Sequence, residues 1–144
     1  MDKDRPWVAA DCVVFDHRNR LLLIRRKHEP FKGQYALPGG FIEIGETSKD
    51  AARRELQEET GVKAEVLRLI GVYSDPSRDP RHHCISIAYL TVVQDAAVVA
   101  GDDAAAAEFV ANWHGLSLAF DHNKILQDAL ALLALRTAVK PPLI

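Results

Sequence analysis

The most informative stretch of this chain is GFIEIGETSKDAARRELQEETGV, from Gly40 to Val62. On a helix turning about 100° per residue, Glu55, Glu58 and Glu59 fall within roughly a third of the circumference. A charge cluster is usually a solvated face, but Glu55 and Glu59 are a like-charge i,i+4 pair, which costs about 0.3 kcal/mol. A divalent cation would convert that repulsion into binding, and hard oxygen ligands suit Mg²⁺ or Mn²⁺. The pattern therefore favours a metal site on one face of a helix.

The residues around the acidic cluster predict where this helix begins and ends. Thr47 or Ser48 is suited to the N-cap position, and Gly61 stands where a helix C-terminus takes a left-handed residue. A turn is predicted just before the helix by Pro38-Gly39-Gly40. The apolar face that would pack on a core consists of Ala51, Ala52 and Leu56.

Arg54 lies beside the acidic cluster and has two possible partners. It can pair with Glu58 at i,i+4, or it can reach back to Glu46. Either pairing would hold a carboxylate in place behind the metal ligands. Both remain open from the residues alone.

The same spacing is also a family pattern. Gly40, Glu46, Arg54-Glu55-Leu56, Glu58-Glu59 and Gly61-Val62 match every fixed position of the Nudix box, with Leu56 and Val62 at its two aliphatic positions. The chain therefore resembles a Nudix hydrolase over nearly all of its length. The resemblance implies hydrolysis of the diphosphate bond in a nucleoside diphosphate linked to another moiety, with Mg²⁺ or Mn²⁺ required.

The resemblance also assigns roles to individual residues of this chain. The catalytic set that it implies is Glu46, Arg54, Glu55, Glu58 and Glu59. The metal ligands that it implies are Glu55, Glu58 and Glu59, with the Gly39 carbonyl as a further ligand, and Gly40 would lie against the substrate.

Length and composition agree with a single domain spanning residues 1–144. An apolar content of 48% and a charged content of 26% are typical of a soluble globular protein. The net charge of −2 gives no electrostatic argument for nucleic acid or for an anionic membrane, so neither partner is expected. The first residues, MDKDRPW, lack the apolar stretch of a signal peptide, and no run is long enough to span a membrane. Cys12 and Cys84 lie inside apolar runs, which is typical of buried thiols in a reducing compartment, so we expect a cytoplasmic protein.

The order of predicted elements indicates a mixed α+β fold. Two helices are predicted, from Thr47 to Thr60 and from Asp121, as N-cap, to about Val139. Strands are predicted at Val8–Phe15 and Leu21–Arg26 as a hairpin, within Tyr35–Ile44 and Val62–Tyr73, at Cys84–Val93 and at Glu108–Trp113, with Gln94–Ala107 as a loop. This order suits an α/β/α sandwich with a mixed β-sheet between helices, which is also the Nudix fold.

A second informative stretch, GVYSDPSRDPRHHCISIAYL, runs from Gly71 to Leu90. Its two prolines stiffen a loop that presents Arg78 and Arg81. Arginine binds phosphate through two parallel hydrogen bonds and stacks on planar bases. An exposed turn in which Asp79 simply pairs with an arginine explains the same residues equally well, and the residues alone do not decide between the two.

This loop and a later segment, Ala119-Phe120-Asp121-His122, resemble the ADP-ribose pyrophosphatase branch of the family, as does Pro76, fifteen residues after Gly61. The resemblance implies that ADP-ribose is hydrolysed to AMP and ribose 5-phosphate by a homodimer. It favours substrate binding by Arg78, Asp79 and Arg81. His82 stands where the branch usually has glycine, and we expect His82 and His83 to be ordinary loop residues.

Other candidate site residues follow from their positions. One of Arg25 and Arg26 is expected to face the site and bind a substrate phosphate, and Phe31 could stack on adenine, although core packing is the commoner use of an aromatic ring. The general base is left open among Glu58, Glu59, Asp102, Asp103 and Glu108, since Nudix enzymes often take it from a downstream loop.

Two alternative functions remain. The first is a Nudix pyrophosphatase for another nucleotide, such as an oxidised deoxynucleotide, NADH, a dinucleoside polyphosphate or a nucleotide sugar. The second is a non-catalytic nucleotide sensor, since Nudix-related transcription regulators carry the same loop and Ala-Phe-Asp-His segment joined to a winged-helix domain. We expect an enzyme, because the box is intact and no basic recognition helix is apparent before Ile144.

Overall fold

The computed structural model describes residues 4–94, 96–101 and 103–138. The strands are β1 (Trp7–Asp16), β2 (Leu21–Arg26), β3 (Tyr35–Ala36), β4 (Gly39–Phe41), β5 (Arg68–Tyr73), β6 (Cys84–Val93) and β7 (Ala104–Val110). The helices are α1 (Ser48–Thr60) and α2 (His122–Ala138). No helix within the described ranges is long and apolar enough to cross a membrane.

The strands form one mixed sheet with the central order β3-β2-β1-β6-β5. β1 lies parallel to β6 along its whole length, from Trp7 opposite Cys84 to Asp16 opposite Val93. The other pairings are antiparallel, with β4 added to β1 and β7 added to β2. Because β1 alternates its side chains between two faces, it contributes to a core on each side of the sheet.

The two helices cover opposite faces of this sheet. On one face, Ala52 and Leu56 of α1 pack in a core with Cys12 of β1. On the other face, Ile125 of α2 packs in a core with Val13 of β1. Most of these side chains are fully buried, and they supply the apolar area that holds the three layers together. The predicted α/β/α sandwich with a mixed sheet is confirmed.

The predicted limits of α1 agree with the structure. The Thr47 side chain accepts a hydrogen bond from the Asp50 amide at 3.1 Å, which makes Thr47 the N-cap residue. Gly61 ends the helix with a φ of 73°, in the left-handed conformation that favours glycine. The turn predicted at Pro38-Gly39-Gly40 lies one residue earlier, because Leu37 and Pro38 separate β3 from β4 and both glycines belong to β4.

Two predicted elements differ from the structure. The strand expected at Glu108–Trp113 runs from Ala104 to Val110 and pairs with β2. Its alanine run has little preference for strands, so only the pairing with β2 reveals it. Asp121 does precede α2, but its side chain binds Arg78 instead of capping the helix. Val139, the predicted last residue of α2, lies outside the described residues.

Candidate active site

A cavity of about 370 Å³ opens at one end of the sheet. Its walls come from β1, β2 and the loop that follows it, the β3–β4 turn with β4, α1, the loops before β6 and β7, and the segment leading into α2. One side is acidic, and the other combines arginines with aromatic rings. The described structure therefore brings the Nudix box and the Asp-Pro-Arg loop to a single site.

The acidic side is built mainly by α1. Glu55 and Glu59 line the cavity, and Glu59 is only 6% exposed. Burial raises the pKa of Glu59 to about 8, although a hydrogen bond at 2.7 Å from the Gly39 amide opposes the shift. Repulsion by Glu55, and by two aspartates across the cavity, Asp11 and Asp103, raises it further. Burial also raises the pKa of Glu55.

Glu58, by contrast, does not line the cavity, and its side chain is 60% exposed. It accepts a hydrogen bond of 3.2 Å from Arg54 Nη1. Only two of the three box carboxylates therefore face the cavity in this structure, because the helix turns Glu58 toward solvent.

Arg54 makes both of the pairings that the sequence left open. Its Nε donates to Glu46 Oε2 at 2.7 Å, and its Nη1 donates to Glu55 at 2.8 Å as well as to Glu58. The hydrogen bond with Arg54 lowers the pKa of Glu46 to about 2. Neither Glu46 nor Arg54 lines the cavity, and Arg54 connects Glu46 to Glu55 and Glu58 through its hydrogen bonds.

Gly40 allows a close approach between β4 and the Glu55 side chain of α1. A Cβ on Gly40 would lie 2.3 Å from the carboxyl carbon of Glu55, a separation that real side chains do not adopt. Glycine is therefore required here for the Glu55 carboxylate to lie against the backbone of β4.

The donor set suits a hard divalent cation, although no metal cluster is preformed. Within residues 4–94, 96–101 and 103–138, no three histidine, cysteine, aspartate or glutamate side chains are placed together closely enough to hold a metal ion. The carboxylates of Glu55, Glu59 and Asp103 nevertheless face one cavity and repel one another. Carboxylate oxygens are the ligands that Mg²⁺ prefers, and a bound cation would relieve this repulsion.

On the second side of the cavity, only one of the two neighbouring arginines of β2 faces inward. Arg26 lines the cavity, stacks 4.8 Å from the centre of the Phe120 ring and donates to the Pro30 carbonyl at 2.6 Å. Burial lowers its pKa, and the nearby charge of Arg81 adds to that effect. Arg25 points away, toward the Tyr35 ring at 4.0 Å, because successive strand residues face opposite ways.

The Asp-Pro-Arg loop places Asp79 and Arg81 in the cavity wall as a pair. Arg81 Nη2 donates to Asp79 Oδ2 at 2.8 Å, and Asp79 is buried. The guanidinium carbon of Arg81 also lies 5.8 Å from the ring centres of both Phe41 and Phe120. The pair between Asp79 and an arginine, which the sequence offered as the alternative to phosphate binding, is thus present. It holds Arg81 against the aromatic rings of the wall.

Two side chains that were predicted to contact the substrate contact other residues of the protein instead. Arg78 is part of the cavity wall, but its side chain is 5% exposed and bonded to Asp121. Phe31 packs on Phe120 with ring centres 4.8 Å apart and does not line the cavity. His82 and His83 lie in the loop before β6, where their Nε2 atoms contact backbone oxygens.

Several residues lining the site carried no individual role in the sequence analysis, among them Asp11, Phe120 and His122. Asp11 is a buried acid within the apolar run of β1, and that exception in the strand pattern was the signal available. Phe120 and His122 belong to the Ala-Phe-Asp-His segment, which was recognised only as a whole. Their positions depend on packing between α2 and the β3–β4 turn, which no local pattern indicates.

The carboxylates downstream of the box differ in whether they face the cavity. Asp103 lines the cavity, whereas Glu108 accepts a hydrogen bond from the Tyr35 hydroxyl outside it. Asp102 lies outside the described residues. The loop that carries Asp103 is attached to the end of α1, since the Gly101 amide donates to the Glu59 carbonyl at 2.9 Å.

Comparison with known proteins agrees with this site. The NUDIX domain model matches residues 5–133. An ADP-ribose pyrophosphatase of Methanocaldococcus jannaschii is 51% identical over 123 residues, which are 85% of this chain and 72% of the relative. The ADPR-responsive transcriptional repressor NtrR of Acinetobacter baylyi is 30% identical over 157 residues, covering 99% of this chain and 63% of the repressor.

Among solved structures, the NUDIX domain of Shewanella oneidensis NrtR in complex with ADP ribose superposes with a TM-score of 0.83 at 26% identity. That match covers 92% of this chain and 94% of the other. The fold, the box and the matched length lead to one conclusion. The chain belongs to the Nudix family of pyrophosphohydrolases.

Proposed function

We propose that this protein is a divalent-metal-dependent ADP-ribose pyrophosphatase that forms AMP and ribose 5-phosphate. The observation that carries the proposal is a single cavity with carboxylates on one side and arginines with aromatic rings on the other. A nucleotide diphosphate needs both, because its charge must be neutralised and its planar base must be held. The relatives that are named for ADP-ribose, or that bind it, support this choice of substrate.

Glu55 and Glu59 would hold Mg²⁺ or Mn²⁺, joined by Glu58 and the Gly39 carbonyl. Glu55 and Glu59 already face the cavity, and Arg54 keeps Glu58 beside them. A bound metal would neutralise charge on the diphosphate and lower the pKa of a water molecule. The polar atoms around the carboxylates, from Arg54 and the Gly39 amide, would hold them in place for it.

Asp103 would accept the proton of the attacking water. It lines the cavity close enough to Glu55 and Glu59 to raise the pKa of both. Its loop is attached to the end of α1, so its position follows that of the box. A carboxylate in hydrogen-bond reach of a water can serve as general base.

Arg26 and Arg81 would bind the diphosphate, and Phe41 and Phe120 would contact the base. In the described chain Arg26 has a backbone oxygen as partner, which leaves its charge available to an anion. Arg81 is held by Asp79 but is still 38% exposed. Aromatic rings beside these arginines offer flat surfaces for adenine.

Two further expectations are a homodimer, which the resemblance to the ADP-ribose branch implies, and a cytoplasmic location. The two buried thiols, Cys12 and Cys84, agree with a reducing compartment. A nucleotide sensor is the second candidate function, favoured by the match to the repressor over 99% of this chain. The intact box and the carboxylates facing the cavity favour catalysis.

The test is hydrolysis of ADP-ribose with Mg²⁺, with AMP separated by chromatography, for the wild type and for Glu58→Gln, Glu59→Gln and Glu65→Gln. Loss of a metal carboxylate should reduce turnover by at least about 100-fold. Glu65 is exposed and outside the cavity, so Glu65→Gln should retain activity.

Two results would overturn parts of the proposal. Turnover of NADH, an oxidised deoxynucleotide, a dinucleoside polyphosphate or a nucleotide sugar without any AMP from ADP-ribose would exclude the substrate. Binding of ADP-ribose without hydrolysis of any of these compounds would instead favour a sensor.

A further inference from the structure

His122 is a buried imidazole that the proposed chemistry does not use. It begins α2 and is 4% exposed. Its Nδ1 accepts a hydrogen bond of 3.0 Å from the Leu37 amide. A ring nitrogen that accepts an N–H carries no proton itself, so in the neutral ring the proton is on Nε2. Burial also lowers the pKa of His122, which keeps the ring neutral.

Asp11 determines the surroundings of the other ring nitrogen. His122 Nε2 lies 3.8 Å from Asp11 Oδ1, and the second oxygen of Asp11 accepts a hydrogen bond from the Ser86 hydroxyl. The negative carboxylate favours a proton on the nitrogen that faces it. Asp11 therefore supports the tautomer in which Nδ1 is free to accept from Leu37.

The Leu37 amide needs this acceptor. β3 ends at Ala36, so Leu37 is the first residue beyond its pairing with β2. A buried amide without a partner costs about 1–3 kcal/mol, and Leu37 is 2% exposed. The next residue, Pro38, has no amide hydrogen, and its carbonyl accepts from the Cys12 amide at 2.8 Å. His122 thus holds one side of the turn, and β1 holds the other.

The turn ends at the acidic side of the cavity. Two residues after Leu37, the Gly39 amide donates to Glu59 Oε1 at 2.7 Å. Gly39 also pairs with Asp11 across β1 and β4. A displacement of Leu37 would therefore move the amide that orients Glu59.

We propose that His122 is a positioning residue for the acidic side of the cavity, because its Nδ1 fixes the turn whose Gly39 amide orients Glu59. The inference rests on the proposed function only in that Glu59 is taken as a metal carboxylate. The residues that form this connection are His122, Leu37, Gly39 and Glu59, with Asp11 setting the tautomer.

The chain allows a matched set of variants. His122→Asn places an acceptor oxygen near the position of Nδ1, whereas His122→Gln extends its amide toward the position of Nε2. His122→Leu has a similar size and no acceptor. Ile125→Val, one turn further along α2 in the buried core, is the control for a general loosening of the helix.

Three readouts separate positioning from a general structural role. The first is hydrogen exchange of the Leu37 and Gly39 amides in metal-free protein, by NMR. The second is the dissociation constant for Mn²⁺ alone, by electron paramagnetic resonance. The third is kcat and KM for ADP-ribose. For His122→Leu and His122→Gln we expect faster exchange of both amides, about tenfold weaker Mn²⁺ binding and about tenfold lower kcat, with KM changed much less.

His122→Asn should stay within about threefold of the wild type in all three readouts, because a partner that only orients a ligand is replaced by any well-placed acceptor. Wild-type exchange and Mn²⁺ binding in His122→Leu or His122→Gln would overturn the inference, as would equal losses in His122→Asn. If His122→Leu does not fold, the comparison of Asn with Gln still decides. Absence of ADP-ribose hydrolysis by the wild type would contradict the proposed function alone, since amide exchange and Mn²⁺ binding do not depend on the substrate.

Discussion

Arg78 and Asp121 form a two-point ion pair that joins the Asp-Pro-Arg loop to the start of α2. Arg78 Nε lies 2.9 Å from Asp121 Oδ2, and Nη2 lies 2.7 Å from Oδ1. The Arg78 side chain is only 5% exposed, so the pair is shielded from solvent. Asp79 and Arg81, from the same loop, and Phe120, from the segment before α2, line the cavity on either side of this pair.

Removing the charge of Asp121 should release this loop. Asp121→Asn leaves the Arg78 guanidinium buried without a counter-charge, which costs about 3 kcal/mol of unfolding free energy. Chemical denaturation measures that loss, and KM for ADP-ribose should rise because Arg81 and Phe120 are no longer held in place. Asp128→Asn, which changes a partly exposed acid further along α2, is the matched control. Equal stability of the two variants would contradict a structural role for the pair.

Gly101 should not tolerate a side chain. A Cβ on Gly101 would lie 1.9 Å from the Glu58 carbonyl oxygen, a backbone atom that cannot rotate away. Gly101→Ala should therefore displace the loop that carries Asp103, lowering the unfolding free energy by about 1–3 kcal/mol. The displacement of Asp103 should also lower kcat by a larger factor than it changes KM. Gly115→Ala, where a Cβ meets no atom within 4 Å, should be neutral in both thermal unfolding and kinetics.

Arg26 and Arg25 are neighbours in sequence that should differ in function. Arg26→Ala removes a cation from the cavity and should raise KM for ADP-ribose about 10- to 100-fold, as expected for the loss of a charge-assisted hydrogen bond. Arg25→Ala affects an exposed side chain that lies on Tyr35 outside the cavity and should leave KM within about twofold of the wild type. Steady-state kinetics on the two purified variants would make the comparison, and similar KM values would refute the assignment.

Protonation of His122 should lower the stability of the protein as the pH falls below about 6.5, whereas Glu59, whose pKa burial raises to about 8, acts in the opposite direction in the same range. Burial lowers the pKa of His122 from its ordinary value of 6.5, against an opposing effect of Asp11. Below pH 6.5 His122 binds a proton in the unfolded chain but not in the folded protein. The contribution of the neutral imidazole to folding stability is therefore complete above pH 6.5 and is lost as the pH falls. One such proton accounts for at most about 1.4 kcal/mol per pH unit.

Denaturant unfolding of the wild type and of His122→Asn between pH 5 and pH 8 measures this effect, because that range brackets the ordinary histidine pKa of 6.5. The asparagine variant has no imidazole to protonate and keeps Glu59, so its stability relative to the wild type should rise over the acidic half of that range. Parallel curves for the two proteins would show that His122 is protonated as readily in the folded state as in the unfolded chain.

Much of the fold followed from local patterns. The N-cap at Thr47 and the left-handed Gly61 limit α1 as predicted, because capping depends on residues within one turn. The strand at Ala104–Val110 was misplaced, since its alanines have no strand preference and only the partner β2 defines it. The homodimer, the cytoplasmic location and the roles of individual site residues remain predictions.

Local sequence patterns were sufficient to predict α1, its carboxylates and the family, because helical spacing and caps are set by neighbouring residues. The tertiary structure decided which side chains share the cavity. It turned Arg26 inward and Arg25 outward, left Glu58 largely exposed, and brought His122 against the β3–β4 turn. These choices depend on the pairing of β1 with β6 and on two helices packed on opposite faces of one sheet. Contacts between residues so distant in sequence leave no periodic signal along the chain.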